Sequence, residues 1–256
     1  MYTAIAAFAG VIYQQQASGL SLDEYSMVLK QPAGAYIIAA RRTALGRIGG
    51  LHAGRRIEDL AAPVISAVID DAAIEASSID ELIVGNATAG GNPARLIALA
   101  SGLPEIANAT TIDQQDASGL VAIIQSSRLI SQGDAEVVIA GGAESLSTAP
   151  WRIARPRNAH QMPRFIHPDP VSDAGLNLPF PLECTEKLAR DLNISRSRQD
   201  AFAAGSLQKA VDARKAKRFD DEIVPLKSRR EEGRDQSTAS ADIDYFEDEE
   251  PYLEDT

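Results

Sequence analysis

Residues 81–140, ELIVGNATAGGNPARLIALASGLPEIANATTIDQQDASGLVAIIQSSRLISQGDAEVVIA, decide the fold. Glu81–Val84 is a short apolar run of strand length. Asn92-Pro93 opens a helix that runs through Ala100, with the proline where its missing N–H costs little. Thr110–Ile112 reads as a strand, Ser118–Ser131 as a helix and Glu136–Ala140 as another strand. Strands that alternate with helices imply a layered α/β fold around a mainly parallel mixed sheet, with helices on both faces.

The same rhythm extends upstream. Ala35–Ala40 (AYIIAA) reads as a short buried strand. Glu58–Ile74 places Leu60, Val64, Ile65, Val68 and Ile69 at helical spacing, with Pro63 still in the first turns. Before Gly34 the pattern is different. Met1–Tyr13 is apolar, and the first charged side chain is Asp23. The stretch lacks the basic start of a secretory signal and is too short to span a bilayer. We read residues 1–33 as an appended segment. Ser21 and Glu24 have capping-box spacing, which predicts a short helix ending before Pro32.

Downstream, the rhythm breaks. Seven prolines fall between Pro150 and Pro181, which predicts an irregular, surface-running excursion. Helical patterning returns at Glu183–Asp191 and Arg196–Lys217. From Ala241 to Thr256 eight acidic residues occur with no Lys or Arg, and without them the net charge changes from -11 to -3. Such a block is expected to be solvated and poorly ordered. The expected parts are an α/β domain over 34–149, a loop domain with its following helices over 150–240, and an acidic tail over 241–256.

Composition narrows the function. Apolar residues make up 45% and charged residues 24%, the proportions of an ordinary globular chain. One cysteine excludes an internal disulfide framework and a Cys-based metal cluster, and three histidines leave little for a His-rich site. The acidic balance argues against a nucleic-acid surface. We expect a cytoplasmic protein with no metal, no nucleic-acid partner and no membrane span.

Four blocks resemble one family, the thiolases. AARRTALGRIGG (39–50) is similar to that family's opening strand and turn, S-A-x-R-T-P-x-G-x-F-G-G. Residues 85–104, GNATAGGNPARLIALASGLP, resemble its N-P-A-R-x-A-x-x-x-G-L-P stretch. VVIAGGAESLSTAP (137–150) is similar to V-V-x-A-G-G-x-E-S-M-S-x-A-P, and residues 194–226 resemble I-S-R-x-x-Q-D-x-F-A followed by F-x-D-E-I-V-P. The resemblance implies the N-terminal half of a layered thiolase-like fold plus a loop-domain insertion. It also implies ping-pong interconversion of acyl-CoA plus acetyl-CoA with 3-ketoacyl-CoA plus CoA. Coenzyme A or acyl-CoA would be the substrate, with no bound cofactor and a place in acyl-CoA and fatty-acid metabolism.

The resemblance also marks a departure. The family's nucleophilic cysteine lies in C-G/A-S-G-L-x-A, and the matching stretch here is DASGLVA, with Asp116 at the cysteine position. A thiolate at a helix N-terminus has its pKa lowered by the dipole, and it exchanges one thioester for another of similar energy. A carboxylate there would form a mixed anhydride, far uphill of the thioester. Asp116 is therefore a site residue by position, not expected to be reactive. It reads as an N-cap of the following helix, worth about 1 kcal/mol. Two alternatives are a non-covalent electrostatic role beside bound CoA and a slipped register with Gln115 at the active position. Ser118 and Gly119 complete the motif as candidate substrate-binding residues.

The remaining candidates are weaker in pattern. Lys227, Arg229, Arg230 and Arg234 form a basic cluster where thiolases meet the nucleotide end of CoA, and Arg229 and Arg230 are the candidates from it; the interspersed Glu231 and Glu232 equally fit a solvated face. Gly141-Gly142 follows a strand but lacks phosphate-loop spacing. The single thiol, Cys184, replaces a threonine in the family's M-G-x-T-A-E-N run and reads as a buried small hydrophobe. Phe180-Pro181-Leu182 stands where the family carries His-Met-Gly. His160 and His167 match no catalytic position, and His52 reads as a surface residue.

The family's second-half motifs, G-H-P, C-x-G-x-G and N-E-A-F, do not occur, and DEEPYLEDT resembles the stretch just before that half. The expectation is a truncated acyltransferase inactive on its own. The alternative is a non-catalytic CoA-binding or assembly partner of a chain supplying the C-terminal half. Uncovered helix faces would favour a homo-oligomer or such a partner.

Overall fold

The computed structural model describes residues 6–14, 34–156, 158, 160–165, 181–226 and 247–249. The expected helix before Pro32 and the cluster Lys227, Arg229, Arg230 and Arg234 lie outside them, as does His167. The described chain forms two compact units. One holds everything up to Ala149 and returns at Arg218, and the other holds Pro150–Lys217.

The first unit is built on a five-stranded sheet. Its strands are β1 (Ala6–Gln14), β2 (Ala35–Arg42), β3 (Glu81–Gly85), β4 (Asn108–Ile112) and β5 (Val137–Glu144). Their order is β2-β1-β5-β3-β4. β3 pairs in parallel with β4 and β5, while β1 runs antiparallel to both β2 and β5. Three helices cover it: α1 (Ile57–Ala72), α2 (Pro93–Ala100) and α3 (Ser118–Gln132).

Period-two alternation sends successive side chains to opposite faces. Leu82, Val84, Val137 and Ile139 join one core with Leu60, Val64, Val68 and Ile97 of α1 and α2. Ile83, Val138 and Ala140 join the other core with Ala122 and Ile130 of α3. A sheet buried on both faces explains why these strands read as continuous apolar runs.

Residues 6–14 depart from the reading of 1–33 as an appended segment. An uncharged run of strand length has satisfied its backbone on both edges, and Ala6–Gln14 lies inside the sheet. β2 is in turn an edge strand, and its Tyr36, Ile37 and Ile38 are exposed rather than buried.

The second unit contains a short hairpin of β6 (Ile153–Ala154) and β7 (Arg164–Phe165), then α4 (Pro181–Asp191) and α5 (Arg196–Lys215). Trp151 meets Phe165 edge-on, with ring centroids 5.4 Å apart. Ser195 caps α5 by accepting from the Arg198 amide at 3.3 Å. Cys184 is exposed on α4, contrary to expectation. That helix is polar, and every one of its residues from Leu182 to Arg190 other than Ala189 is exposed.

The boundary expected at 240 falls earlier. Past Lys217 the chain rejoins the first unit, where Ile223 and Leu226 are buried. Arg42 N donates to Glu222 O at 2.9 Å and Val224 N to Arg42 O at 2.8 Å.

Candidate functional site at the start of α3

β3, β4 and β5 end together, and in open α/β sheets ligands collect at the carboxyl ends of the strands. Three segments follow these ends: the loop from Asn86, the turn Asp113–Ala117 leading into α3, and the stretch from Ser145. The Asn86 amide donates to Ile112 O at 2.9 Å, which joins the first two.

Glycines let α3 begin so close to the sheet. A Cβ on Gly85 would lie 2.3 Å from the Ser118 carbonyl carbon and 2.4 Å from Gly119 N. A Cβ on Gly142 would lie 3.2 Å from the Gly119 Cα. The first turn of α3 therefore rests directly on β3 and β5, backbone against backbone. Gly142 serves this approach, which accounts for a glycine there without a phosphate.

The turn before α3 is locked from both ends. Asp113 Oδ1 accepts from Gln115 N at 3.0 Å. Ser118 Oγ accepts from Gln114 N at 2.8 Å and donates to Gln115 O at 2.6 Å. Gln115 is held at φ 53°, a left-handed conformation that costs a non-glycine residue on the order of 1 kcal/mol. Asp116 follows at the tip, exposed.

This geometry corrects the capping reading of Asp116. The N-cap of α3 is Ala117, in helical conformation, and no side chain caps the helix. Ser118, one residue on, already satisfies the turn, so the Asp116 carboxylate has no hydrogen-bond or ion-pair partner among the described residues. Ser118 is buried and its hydroxyl is consumed within the turn, so it offers a substrate no side-chain group. Gly119 is half-buried against Gly142.

A polar network behind the turn had not been singled out from sequence. Asn86 is buried; its Nδ2 donates to Ala143 O at 2.9 Å and to Glu144 Oε1 at 2.8 Å. Glu144 Oε2 accepts from Ala87 N at 2.9 Å, and Thr88 Oγ1 donates to Glu144 Oε1. Asn86 Oδ1 accepts from Ala89 N at 3.0 Å. One amide and one carboxylate thus hold the loop after β3 in place. The signal was a polar residue at the carboxyl end of each of two apolar strands.

A second acidic site corrects the solvated reading for Asp248 and Glu249 within 241–256. Asp248 forms a bidentate pair with Arg42, at 2.6 and 2.9 Å, and also accepts from Leu45 N at 2.7 Å. Arg42 donates to Glu222 as well, at 2.7 Å, and lies over the Phe219 ring. Glu249 accepts from Arg47 N and its guanidinium, each at 2.8 Å, and from Leu51 N at 3.0 Å. Burial would raise the Glu249 pKa, but these donors outweigh it and hold the carboxyl below its ordinary value. A Cβ on Gly50 would lie 2.3 Å from the Glu249 carboxylate, so glycine there makes room for the clip.

His52, expected at the surface, has 0% exposure, and its Nε2 donates to Ala44 O at 2.9 Å. Burial lowers its pKa, partly offset by that carbonyl. Among the described residues, no three His, Cys, Asp or Glu side chains are grouped so as to hold a metal ion, and no helix is long and apolar enough to cross a membrane.

Comparison with known proteins gives this geometry a context. The family model described as thiolase, N-terminal domain, matches residues 35–250. An acetyl-CoA acetyltransferase of Cupriavidus necator is 38% identical over 197 residues, 74% of this chain and 50% of that protein. The crystal structure of the Bacillus anthracis acetyl-CoA acetyltransferase superposes with a TM-score of 0.75 at 29% identity, covering 87% of this chain and 56% of the other. An Ascaris suum thiolase solved in complex with coenzyme A gives a TM-score of 0.66 at 30% identity, covering 75% and 52%. The chain spans about half the length of the curated relatives it matches.

Proposed function

Because this chain belongs to the thiolase family, we propose that it is a coenzyme A-binding relative whose nucleophile position is held by Asp116, and that it performs no acyl transfer by itself. The observation that carries the reading is the turn Asp113–Ser118. It strains Gln115 and leaves the next side chain unpartnered at the carboxyl ends of three parallel strands. Among the described residues nothing recruits the Asp116 carboxylate, so its position favours a site role.

The chemistry of that role is limited. Attack of a carboxylate oxygen on an acyl-CoA thioester would form an acyl-aspartyl anhydride and release the CoA thiolate, with the equilibrium far toward thioester. Asp116 keeps a negative charge where the family motif has a thiolate and loses the covalent step. Its charge beside the α3 N-terminus would instead act on bound acyl-CoA electrostatically. Ser118 and Gly119 shape the approach through backbone, and Arg229 and Arg230 would meet the CoA phosphates.

The test is thiolysis of acetoacetyl-CoA by the 256-residue chain with added CoA, followed at the thioester absorbance. No turnover is expected, and turnover above the uncatalysed rate would overturn the reading.

The second reading is a non-catalytic CoA-binding or assembly partner in acyl-CoA metabolism of the cytoplasm, joined to a copy of itself or to a chain supplying the other half. Calorimetry with CoA tests what the two readings share. Heat without turnover fits both, and absence of both heat and thermal shift removes the CoA role.

A further inference from the structure

We propose that Glu144 is the positioning residue of the site at the carboxyl ends of β3, β4 and β5, acting through the loop after β3 on the turn that carries Asp116. Its effect on a ligand rests on the coenzyme A reading; the positioning of the turn does not. Glu144 is the last residue of β5 and is half-buried. A carboxylate there gives up hydration, a cost that donors must offset. Its donors come from one stretch of chain: Asn86 Nδ2 at 2.8 Å, Ala87 N at 2.9 Å and the Thr88 hydroxyl. Hydrogen bonds to an ionised acceptor are stronger than neutral ones, so this one acid fixes the start of the loop.

The grip reaches the turn through backbone. Asn86 N donates to Ile112 O at 2.9 Å, and Ile112 directly precedes Asp113, where the turn begins. Gly85, just before Asn86, leaves room for the Ser118–Gly119 backbone, and Gly142, two residues before Glu144, leaves room for Gly119. The turn is thus held at its start by the residue that Glu144 anchors, and at its end by the two strands that Glu144 ties together. Farther along the loop, Gly90 and Gly91 have φ of 72° and 67°, and a Cβ on either would meet nothing within 4 Å. They supply a bend and no packing, so the loop depends on its two feet. The far foot is Asn92, which donates to Ala109 O at 3.0 Å and accepts from Thr111 Oγ1 at 2.6 Å. Glu144 supplies the charged foot.

Glu144→Gln keeps the shape and turns one acceptor oxygen into a donor. In the full chain it should weaken CoA binding about tenfold by calorimetry. Amide exchange should speed up about tenfold in peptides covering both 86–92 and 113–118. Thr88→Val removes one donor only, should weaken CoA roughly threefold, and keeps the test open where Glu144→Gln does not fold. Val68→Ala, a core truncation in α1, is the stability control: it should lower Tm and leave CoA affinity within about twofold of the parent. Equal weakening by Val68→Ala would mean that Glu144 acts through stability alone, and the proposal falls. Unchanged CoA affinity in both loop variants, or unchanged exchange over 113–118, overturns it as well. No heat from the parent with CoA removes the coenzyme A reading, and exchange over 113–118 then decides the positioning by itself.

Discussion

Two acidic sites in the first unit invite comparison. Asp248 and Glu249 lie in a stretch whose composition promised a solvated end, yet their carboxylates meet two arginines and three backbone amides between Arg42 and Leu51. Asp116 lies in a motif that promised a helix cap, yet its carboxylate meets nothing described. Partners, and not residue type, decide what an acid does. Where neighbours satisfy every lone pair, the acid holds the fold together. Where the backbone is strained and the side chain left open, as at Gln115 and Asp116, we propose that the position serves a site.

The largest effect should come from closing the approach that places Asp116. Gly85→Ala puts a methyl against the Ser118–Gly119 backbone and should cost about 3 kcal/mol, lowering Tm by roughly 6–12 °C. An unchanged melt would mean that α3 stands further from the sheet. Next comes the clip. Arg42→Ala strands Asp248 and Glu222, and with side-chain exposures of 14% for Arg42 and 22% for Asp248 it should cost about 2–3 kcal/mol by chemical denaturation. A loss below about 0.5 kcal/mol would return the acidic stretch to the solvent.

A pH dependence follows from His52. Its folded pKa lies below the ordinary 6.5 because burial disfavours the imidazolium. As pH falls, the unfolded chain takes up this proton first. Stability from His52 is therefore full above about pH 6.5 and is lost as pH drops through the window between 6.5 and the folded value. Melts from pH 7.5 down to pH 5 should show that slope, and His52→Gln should flatten it. Glu249, also depressed, adds a loss at lower pH, below its ordinary 4.5. The smallest effect belongs to Asp116→Ala, within about 0.5 kcal/mol of the parent. A loss near 1 kcal/mol would restore the capping role.

Much of the sheet was legible because its signal is local. The apolar runs at Glu81–Gly85 and Val137–Glu144 and the helical spacing of α1 depend on neighbours a few residues away. The missed features depend on distant pairing. β1 reads as a loose apolar end until Phe8 finds Gly142 on one edge and Arg42 on the other. His52 reads as a surface residue until the Ala44 carbonyl and the packed turn enclose it. For Asp248 and Glu249 the partners lie about 200 residues earlier, and a run of like charges carries no record of them. At the site, the motif DASGL marked the turn but not the duties within it, since Ser118 locks the turn and no side chain caps the helix.

The most direct measurement of the central claim is intact-protein mass spectrometry after mixing the chain with excess acetyl-CoA and quenching in acid. The account expects the unmodified mass alone, because on the proposed reading Asp116 stands at the nucleophile position without the means to keep an acyl group. A stoichiometric acetyl adduct that maps to the peptide carrying Asp116 would contradict it.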